Sequence, residues 1–365
     1  MIRKTNEFIK KNMIWLVLIT VGIGFLVGPH IDKPAIKTLK QLILPSAFIM
    51  LWASMITMKV GSFLKSFKQP KKLIVGNIMS LIIAPLLMLP LALIFAKEPH
   101  IYAGLILAGI APPGGFVTYW SMLLNANMGL AVSLTLTTFL VSLFLIPFGM
   151  KWLVGSKVNV NVMALFNKIL ILVVGPFILA MITRWLIVRK KGEKNMENYK
   201  ALFSIISSLM AIYLVFAGIS IKAEFLISHI TTLLMPVAGA FLYYLIAYPL
   251  SYWILHKLLK FSLFDSIPLV YGTATKNLSI AMGLAATAFG PLTLLGVITC
   301  MVFQMPMASL WHKYFAKFEI SEEEVVIKLE KEVIVDGKAK EELVDEVFEN
   351  GKLIEEVVEN IEEKS

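Results

Sequence analysis

Apolar runs of about 20 residues recur along this chain, and they constrain its fold more than any other feature. A helix of that length crosses the hydrocarbon core of a bilayer. With 58% hydrophobic residues and a mean hydropathy of +0.79, the chain lacks the short alternating segments of a membrane barrel. We therefore predict an all-α membrane protein with ten transmembrane helices. The predicted spans are 12–29, 41–59, 72–96, 101–124, 128–154, 163–188, 200–220, 227–256, 265–289 and 291–312.

The distribution of charge divides the chain into two predicted domains. Residues 319–365 hold 17 of the 24 acidic residues and six lysines, a net charge of −11, whereas residues 1–318 carry +21. We predict a ten-helix transporter domain over 1–318 and an acidic cytoplasmic tail over 319–365. Within the tail, alternation over 325–335 favours a strand or hairpin arm, and the spacing over 343–361 favours a helix. The tail either binds a protein partner, self-associates, or is solvated and partly ordered.

The basic residues predict the orientation of the spans. Lysines and arginines are much more numerous at one set of span ends than at the other, and such ends face the cytoplasm. Because the number of spans is even, both termini are predicted to be cytoplasmic, in a multi-pass protein of the cell membrane. The basic residues are scattered over short loops without a continuous stripe, which indicates contact with membrane lipid and argues against nucleic acid as a partner.

Few residues of the sequence suit catalysis or metal binding. Cys300 is the only cysteine, so no disulfide forms within the chain and no thiolate cluster can hold a metal. The five histidines lie near span ends without metal-ligand spacing, and the chain has no HExxH, P-loop or nucleophile-elbow motif. We therefore predict neither an enzyme nor a bound cofactor.

The fourth run contains four consecutive helix breakers. Pro112 and Pro113 remove two amide donors, and Gly114 and Gly115 weaken the helix further. A broken backbone at membrane depth survives only where protein buries it or water lines it. We expect the second half-helix to point its free amides inward, with Thr118 adding a hydroxyl ligand. A plain proline kink is the alternative.

The ninth run carries a lysine inside an apolar stretch. An ammonium in hydrocarbon costs several kcal/mol, and such residues usually mark a substrate or ion path. No Asp or Glu lies deep in another apolar run to pair with Lys276. Its charge either contacts an anionic substrate or serves as a fixed counter-charge that replaces a bound cation. Gly272, Thr273, Thr275, Asn277 and Ser279 are clustered around it. Thr135 of the fifth run either lines the same cavity or bonds to its own helix.

A weak internal repeat relates the two interrupted runs. The similar segments that end at Lys59 and Lys222 are separated by the same number of residues as Pro113 and Lys276. Two halves of five helices enter a membrane from opposite sides, which is the inverted repeat of many secondary transporters. The breaks would then cross, with Lys276 and Asn277 facing the glycines of the fourth run. A chance match between short apolar segments is the alternative.

These motifs resemble those of the bile acid:sodium symporter family and of the related arsenite-efflux permeases. The resemblance rests on Ala-Pro-Pro-Gly-Gly at 111–115, Tyr-Trp-Ser at 119–121, Gly-Thr-Ala-Thr-Lys-Asn at 272–277 and Gly-Leu-Ala-Ala-Thr-Ala-Phe-Gly at 283–290. It implies ten helices in two inverted five-helix repeats, with a panel domain and a core domain. It further implies that the fourth and ninth helices are unwound where they cross and that transport proceeds by alternating access.

The ion ligands that the resemblance implies are mostly absent. The acid and the glutamine of the ninth helix in sodium-coupled members fall on Gly272 and Lys276 here. A lysine at that position would repel sodium, so sodium-independent transport is predicted. The remaining ligand positions fall on Thr118, Tyr119, Ala131 and the retained Thr135.

The leading hypothesis is a secondary transporter of a small organic anion. A buried lysine that released its proton in one conformation would couple transport to protons. An arsenite permease is the second hypothesis, although the cysteine that those proteins share falls on Pro113. The third is a receptor that signals through the tail. The predicted substrate-binding residues are Pro113, Gly114, Gly115, Thr118, Thr135, Gly272, Thr273, Thr275, Lys276 and Asn277.

Overall fold

The computed structural model describes residues 2–56, 69–192 and 196–318, which are helical and include no strand. The predictions for the acidic tail, a strand or hairpin arm over 325–335 and a helix over 343–361, lie outside the described residues.

The described residues form α-helices that are in places joined or extended by π-helical turns. The α-helices are α1 (Ile2–Val27), α2 (Lys33–Met55), α3 (Pro70–Ile78), α4 (Ala84–Phe95), α5 (Pro99–Ile110), α6 (Phe116–Leu123), α7 (Met128–Val154), α8 (Val162–Ile169), α9 (Gly175–Lys191), α10 (Met196–Ser228), α11 (Thr231–Tyr252), α12 (Leu263–Ala274), α13 (Leu278–Leu284) and α14 (Pro291–Phe315). π-Helical turns join α3 to α4 (Met79–Ile83) and α8 to α9 (Leu170–Val174), and others extend α11 (Trp253–Leu258) and α13 (Ala285–Phe289).

Seven helical segments of the described chain are long and apolar enough to cross a membrane. The described part of the chain is therefore all-helical, and the protein is a multi-pass membrane protein. Helices also occupy the other three predicted runs, where α1 is less apolar and the fourth and ninth runs are each split in two. The seven segments are Lys33–Met55, Pro70–Phe95, Met128–Val154, Val162–Lys191, Tyr199–Ser228, Leu234–Leu258 and Pro291–Phe315.

Local chemistry explains where several helices begin. The Asp32 carboxylate accepts a hydrogen bond from the Ala35 amide, and Pro34 occupies the first turn of α2, so this helix starts well before the predicted residue 41. The side chains of Asn127 and Asn161 cap α7 and α8 in the same way. Polar caps of this kind mark the ends of helices whose interiors are almost uniformly apolar.

The helices pack in two groups. The first, called the four-segment group below, contains α1, α2, α8–α9 and α10. The second, called the six-segment group, contains α3–α4, α5–α6, α7, α11, α12–α13 and α14. Contacts of α10 with α14, of α2 with α13 and of α7 with α8 connect the groups. Both interrupted segments belong to the six-segment group, so the site described below is built within one packing unit.

Two glycines bring the backbones of α5 and α14 together. A Cβ atom on Gly104 would lie 2.1 Å from the carbonyl oxygen of Thr293, and one on Gly296 would lie 2.4 Å from that of Ile101. No side chain fits at either position without separating the helices. Glycine therefore fixes the spacing of the two helices that support the interrupted segments.

Candidate functional site

The first interruption separates α5 from α6. The Ala111 amide donates the last bond of α5 to Leu107, and α6 begins with bonds from Val117 and Tyr119 to the carbonyls of the two glycines. Between them, the prolines have no N–H. The amide of Gly115 donates to no described residue, and this glycine is exposed. The start of α6 therefore presents a free backbone donor at the positive end of the helix dipole.

The second interruption separates α12 from α13 at Thr275–Asn277. The Thr275 amide bonds back to Tyr271, and the Asn277 side chain then caps α13 by accepting from the Ile280 amide at 3.3 Å. This asparagine lets the chain restart a helix directly after the lysine.

The two interruptions touch each other. The Asn277 amide donates to the carbonyl of Pro112 at 2.7 Å. A Cβ atom on Gly114 would lie 3.4 Å from the Cβ of Asn277, so glycine allows this close approach. The structure thus brings Asn277 against Gly114. The hydrogen bond from Asn277 to Pro112 satisfies one backbone group of each interrupted helix.

The Lys276 side chain lies in a closed, polar niche beside the crossing. Only 2% of the residue is exposed. Its ammonium donates to the hydroxyl of Ser80 at 3.0 Å and to the carbonyl of the same residue at 2.5 Å. No carboxylate of the described residues forms an ion pair with it. The charge is balanced by oxygen dipoles, which is how a cation site in a protein is built.

The Ser80 carbonyl is available because of a π-helical turn and a proline. Ser80 lies in the turn Met79–Ile83, where the Ala84 amide donates to Met79. The next residue that could donate to Ser80 in this register is Pro85, which has no N–H. The carbonyl would remain unsatisfied in the protein interior, and the Lys276 ammonium supplies the missing donor.

Gln304 of α14 holds the backbone of Lys276. Its Oε1 accepts from the Lys276 amide at 2.8 Å, and its Nε2 donates to the Lys276 carbonyl at 3.0 Å. The Tyr244 hydroxyl also donates to Oε1, at 3.3 Å. The glutamine replaces hydrogen bonds that the interrupted helix has lost. In the sequence, Gln304 stands out only as an isolated amide side chain within an apolar run.

Several of the predicted hydroxyl ligands bond to their own helices. Thr135 donates to Ala131 at 2.9 Å. Thr273 and Thr275 likewise donate one turn back, to Leu269 at 2.8 Å and to Tyr271 at 2.6 Å. Gly272 packs against Leu134, and Pro113 is buried in the first interruption. The oxygen atoms of these hydroxyls can still accept a hydrogen bond, and the part of all five residues in substrate binding stays a prediction.

Three polar groups at the crossing and at the start of α6 have no hydrogen-bond partner among the described residues. Thr118 and Asn277 are half-buried, and neither the Thr118 hydroxyl nor the Asn277 Nδ2 bonds to a described residue. The Gly115 amide is the third such donor. Phe116 and Tyr119 of α6 expose apolar surface, at 37% and 45%. Free donors and apolar surface on one short helix suit a small molecule with a carboxylate and an apolar body.

A partly buried ion pair at the start of α12 is absent from the sequence prediction. Asp265 is 6% exposed and pairs with Lys72 of α3 at 2.6 Å. It also accepts from the Asn127 side chain at 2.8 Å. The pair ties α3, α7 and α12 together away from Lys276. Its sequence signal is a lysine and an aspartate at the starts of two predicted spans, on the same predicted side of the membrane.

Comparison with known proteins identifies relatives. Residues 44–229, which include the first interruption, match the model of the Sodium Bile acid symporter family. The "Uncharacterized transporter slr0944" of Synechocystis is 25% identical over 317 residues, covering 78% of this chain and 82% of the relative. The "Uncharacterized protein YbaS" of Bacillus subtilis is 24% identical over 232 residues, covering 62% and 73%. The "Probable sodium/metabolite cotransporter BASS3, chloroplastic" of Arabidopsis thaliana is 25% identical over 199 residues, covering 54% and 44%.

Proposed function

Because this chain belongs to the sodium bile acid symporter family and is a membrane transporter, we propose that it carries a small organic anion without sodium. The family and the names of the relatives establish transport in general. The substrate class and the coupling are proposed from the residues at the crossing. The observation that carries the proposal is a lysine ammonium enclosed by Ser80 at a point where the related sodium carriers resemble one another in having a glutamine.

The anion is proposed to bind in a groove that the three free donors beside the crossing would line. The donors are the Gly115 amide, the Thr118 hydroxyl and the Asn277 Nδ2, and the positive end of α6 adds a favourable potential. Gly114 and Pro113 hold this backbone open. Gly272, Thr273 and Thr275 keep the second interruption in place, and Thr135 belongs to the supporting wall.

Lys276 is proposed to act as the fixed counter-charge. Its ammonium already donates to two oxygens of Ser80 and is almost inaccessible. It therefore adds positive potential near the groove without touching the substrate. A sodium ion would be repelled from the same niche, since two like charges at such short range in a protein interior are strongly unfavourable. Coupling to protons stays a prediction that the pH dependence of flux tests.

Transport is proposed to follow alternating access in a ten-helix inverted repeat with both termini in the cytoplasm. In that topology α6 lies on the cytoplasmic side of the crossing and α13 on the outer side. Gly115 at the start of α6 is exposed, whereas Gly283 of α13 packs against α2, with its Cβ position 3.0 Å from Leu51. From this difference we infer an inward-open conformation. The four-segment group would act as the panel and the six-segment group as the core.

A melting-temperature screen of the purified protein tests anion binding. We expect aliphatic or aromatic carboxylates to raise the melting temperature, since a ligand at 100 times its dissociation constant adds about 2.7 kcal/mol of apparent stability. Thr118→Val should raise about 10-fold the carboxylate concentration that produces a given shift, because one charge-assisted hydrogen bond is lost. Thr38→Val, at an exposed threonine of α2 that bonds to its own helix, is the matched control.

Two outcomes would count against the anion site. One is a screen in which no carboxylate shifts the melting temperature. The other is a shift that Thr118→Val and Thr38→Val leave equally unchanged, which would place the ligand elsewhere. A shift produced by arsenite alone would favour the second hypothesis, although the Cys300 thiol is buried in α14 and Pro113 occupies the break.

A further inference from the structure

One side-chain hydrogen bond between described residues joins the two helix groups. Lys168 of α8, in the four-segment group, donates from Nζ to the carbonyl of Thr287 at 3.0 Å. Thr287 follows α13 in the six-segment group. The other side-chain hydrogen bonds between described segments fall within one group or the other, as from Trp52 to Thr183 and from Asn77 to Thr137.

The Thr287 carbonyl accepts no backbone hydrogen bond because the helix ends just beyond it. It lies in the π-helical turn Ala285–Phe289, where the Gly290 amide donates to Ala285. The chain then leaves the helix at Gly290, whose φ of +99° is in the region that favours glycine. Pro291, the residue one α-helical turn beyond Thr287, has no N–H. This part of the chain therefore presents a backbone acceptor that another segment can use.

Lys168 is an unusual donor for that acceptor. It lies in the segment Val162–Lys191, which is apolar enough to span a membrane, and it is half-buried. A lysine at such a position is expensive unless its charge meets oxygen atoms or water. The bond to Thr287 meets that need only while α8 and the end of α13 stay together. Separation of the groups would leave both the ammonium and the carbonyl to be satisfied by water.

We propose that Lys168 and Thr287 form a latch that holds the outer side of the transporter closed. This proposal rests on the alternating-access topology proposed above, in which both residues lie near the outer ends of their segments. We expect apolar contacts between the groups to shift with little change in free energy. The hydrogen bond between Lys168 and Thr287, in contrast, is either formed or broken. Opening of the outer side admits water to the lysine and the carbonyl, and closure restores the bond.

Cysteine labelling tests the latch without a substrate. In a Cys300→Ala background, Ala47→Cys places a single thiol on α2, where Ala47 is fully buried against Gly283 of α13. A membrane-impermeant maleimide added from outside should label it only when the outer side opens. We expect Lys168→Gln to raise the labelling rate about 10-fold, which corresponds to a change of about 1.4 kcal/mol in the opening equilibrium.

Two control variants accompany this experiment. Lys168→Arg keeps a cationic donor and should label close to the parent rate. Lys37→Gln removes an exposed lysine of α2 at the same side of the proposed topology and should leave the rate unchanged.

The outcomes separate the latch from the proposed function. If the parent labels and Lys168→Gln labels at the same rate, the latch is wrong while alternating access stands. If neither protein ever labels at Ala47→Cys, the outer side does not open, and the alternating-access mechanism fails together with the latch. Faster labelling in Lys168→Gln with unchanged labelling in Lys168→Arg supports the latch.

Discussion

At the scale of single residues, two lysines within apolar segments donate hydrogen bonds to backbone carbonyls instead of pairing with carboxylates. In each case the acceptor lies in a π-helical turn: Ser80 for Lys276 and Thr287 for Lys168. The first lysine is enclosed within one helix group, and the second connects two groups. The same chemistry therefore serves a fixed charge in one place and, as proposed, a reversible contact in the other.

Gln304→Leu is expected to destabilise the protein strongly. The substitution leaves the amide and the carbonyl of Lys276 buried without partners. Each unsatisfied group costs about 1–3 kcal/mol, so we expect a loss of about 2–4 kcal/mol, measured as a lower melting temperature. The control is Gln41→Leu, at an exposed position of α2. Equal melting temperatures for the two variants would show that Gln304 does not support the second interruption.

At the scale of the elements, the interruptions were predictable because their causes are local. Prolines and glycines in Pro112–Gly115 remove donors and weaken the helix whatever surrounds them. The niche of Lys276 was not predictable, since it depends on a π-helical turn in α3–α4 and on the packing of a distant segment. The Lys72–Asp265 pair was missed because each residue, taken alone, resembles an ordinary charged helix end. Thr135 was a candidate ligand, and its sequence could not distinguish a free hydroxyl from the back-bonded one observed.

Gly104→Ala tests the close approach of α5 and α14. The added methyl group would lie 2.1 Å from the Thr293 carbonyl oxygen, so the helices must separate. We expect a loss of about 1–3 kcal/mol, measured by the melting temperature. Gly22→Ala in α1 is the matched control, because its Cβ would meet no atom within 4 Å. There the substitution should be neutral or stabilising by up to about 1 kcal/mol. A Gly104→Ala protein as stable as Gly22→Ala would contradict the packing described.

At the scale of the whole molecule, the interruptions, the proposed anion site and the enclosed lysine all belong to the six-segment group. The four-segment group contacts it through α2, α8 and α10 and through the Lys168–Thr287 bond. In the proposed alternating access the four-segment group would move against this site. Composition predicted a helical membrane protein correctly, whereas the orientation in the membrane and the role of the tail remain predictions.

The most direct test of the account is the effect of sodium on the melting temperature of the purified protein. The measurement compares sodium chloride with choline chloride at equal concentration, for the unchanged protein and for Lys276→Gln. Because the lysine ammonium already occupies the niche at Ser80, we predict the same melting temperature in both salts for the unchanged protein. A higher melting temperature in sodium for the unchanged protein, lost or reduced in Lys276→Gln, would contradict the claim that Lys276 replaces the coupling cation.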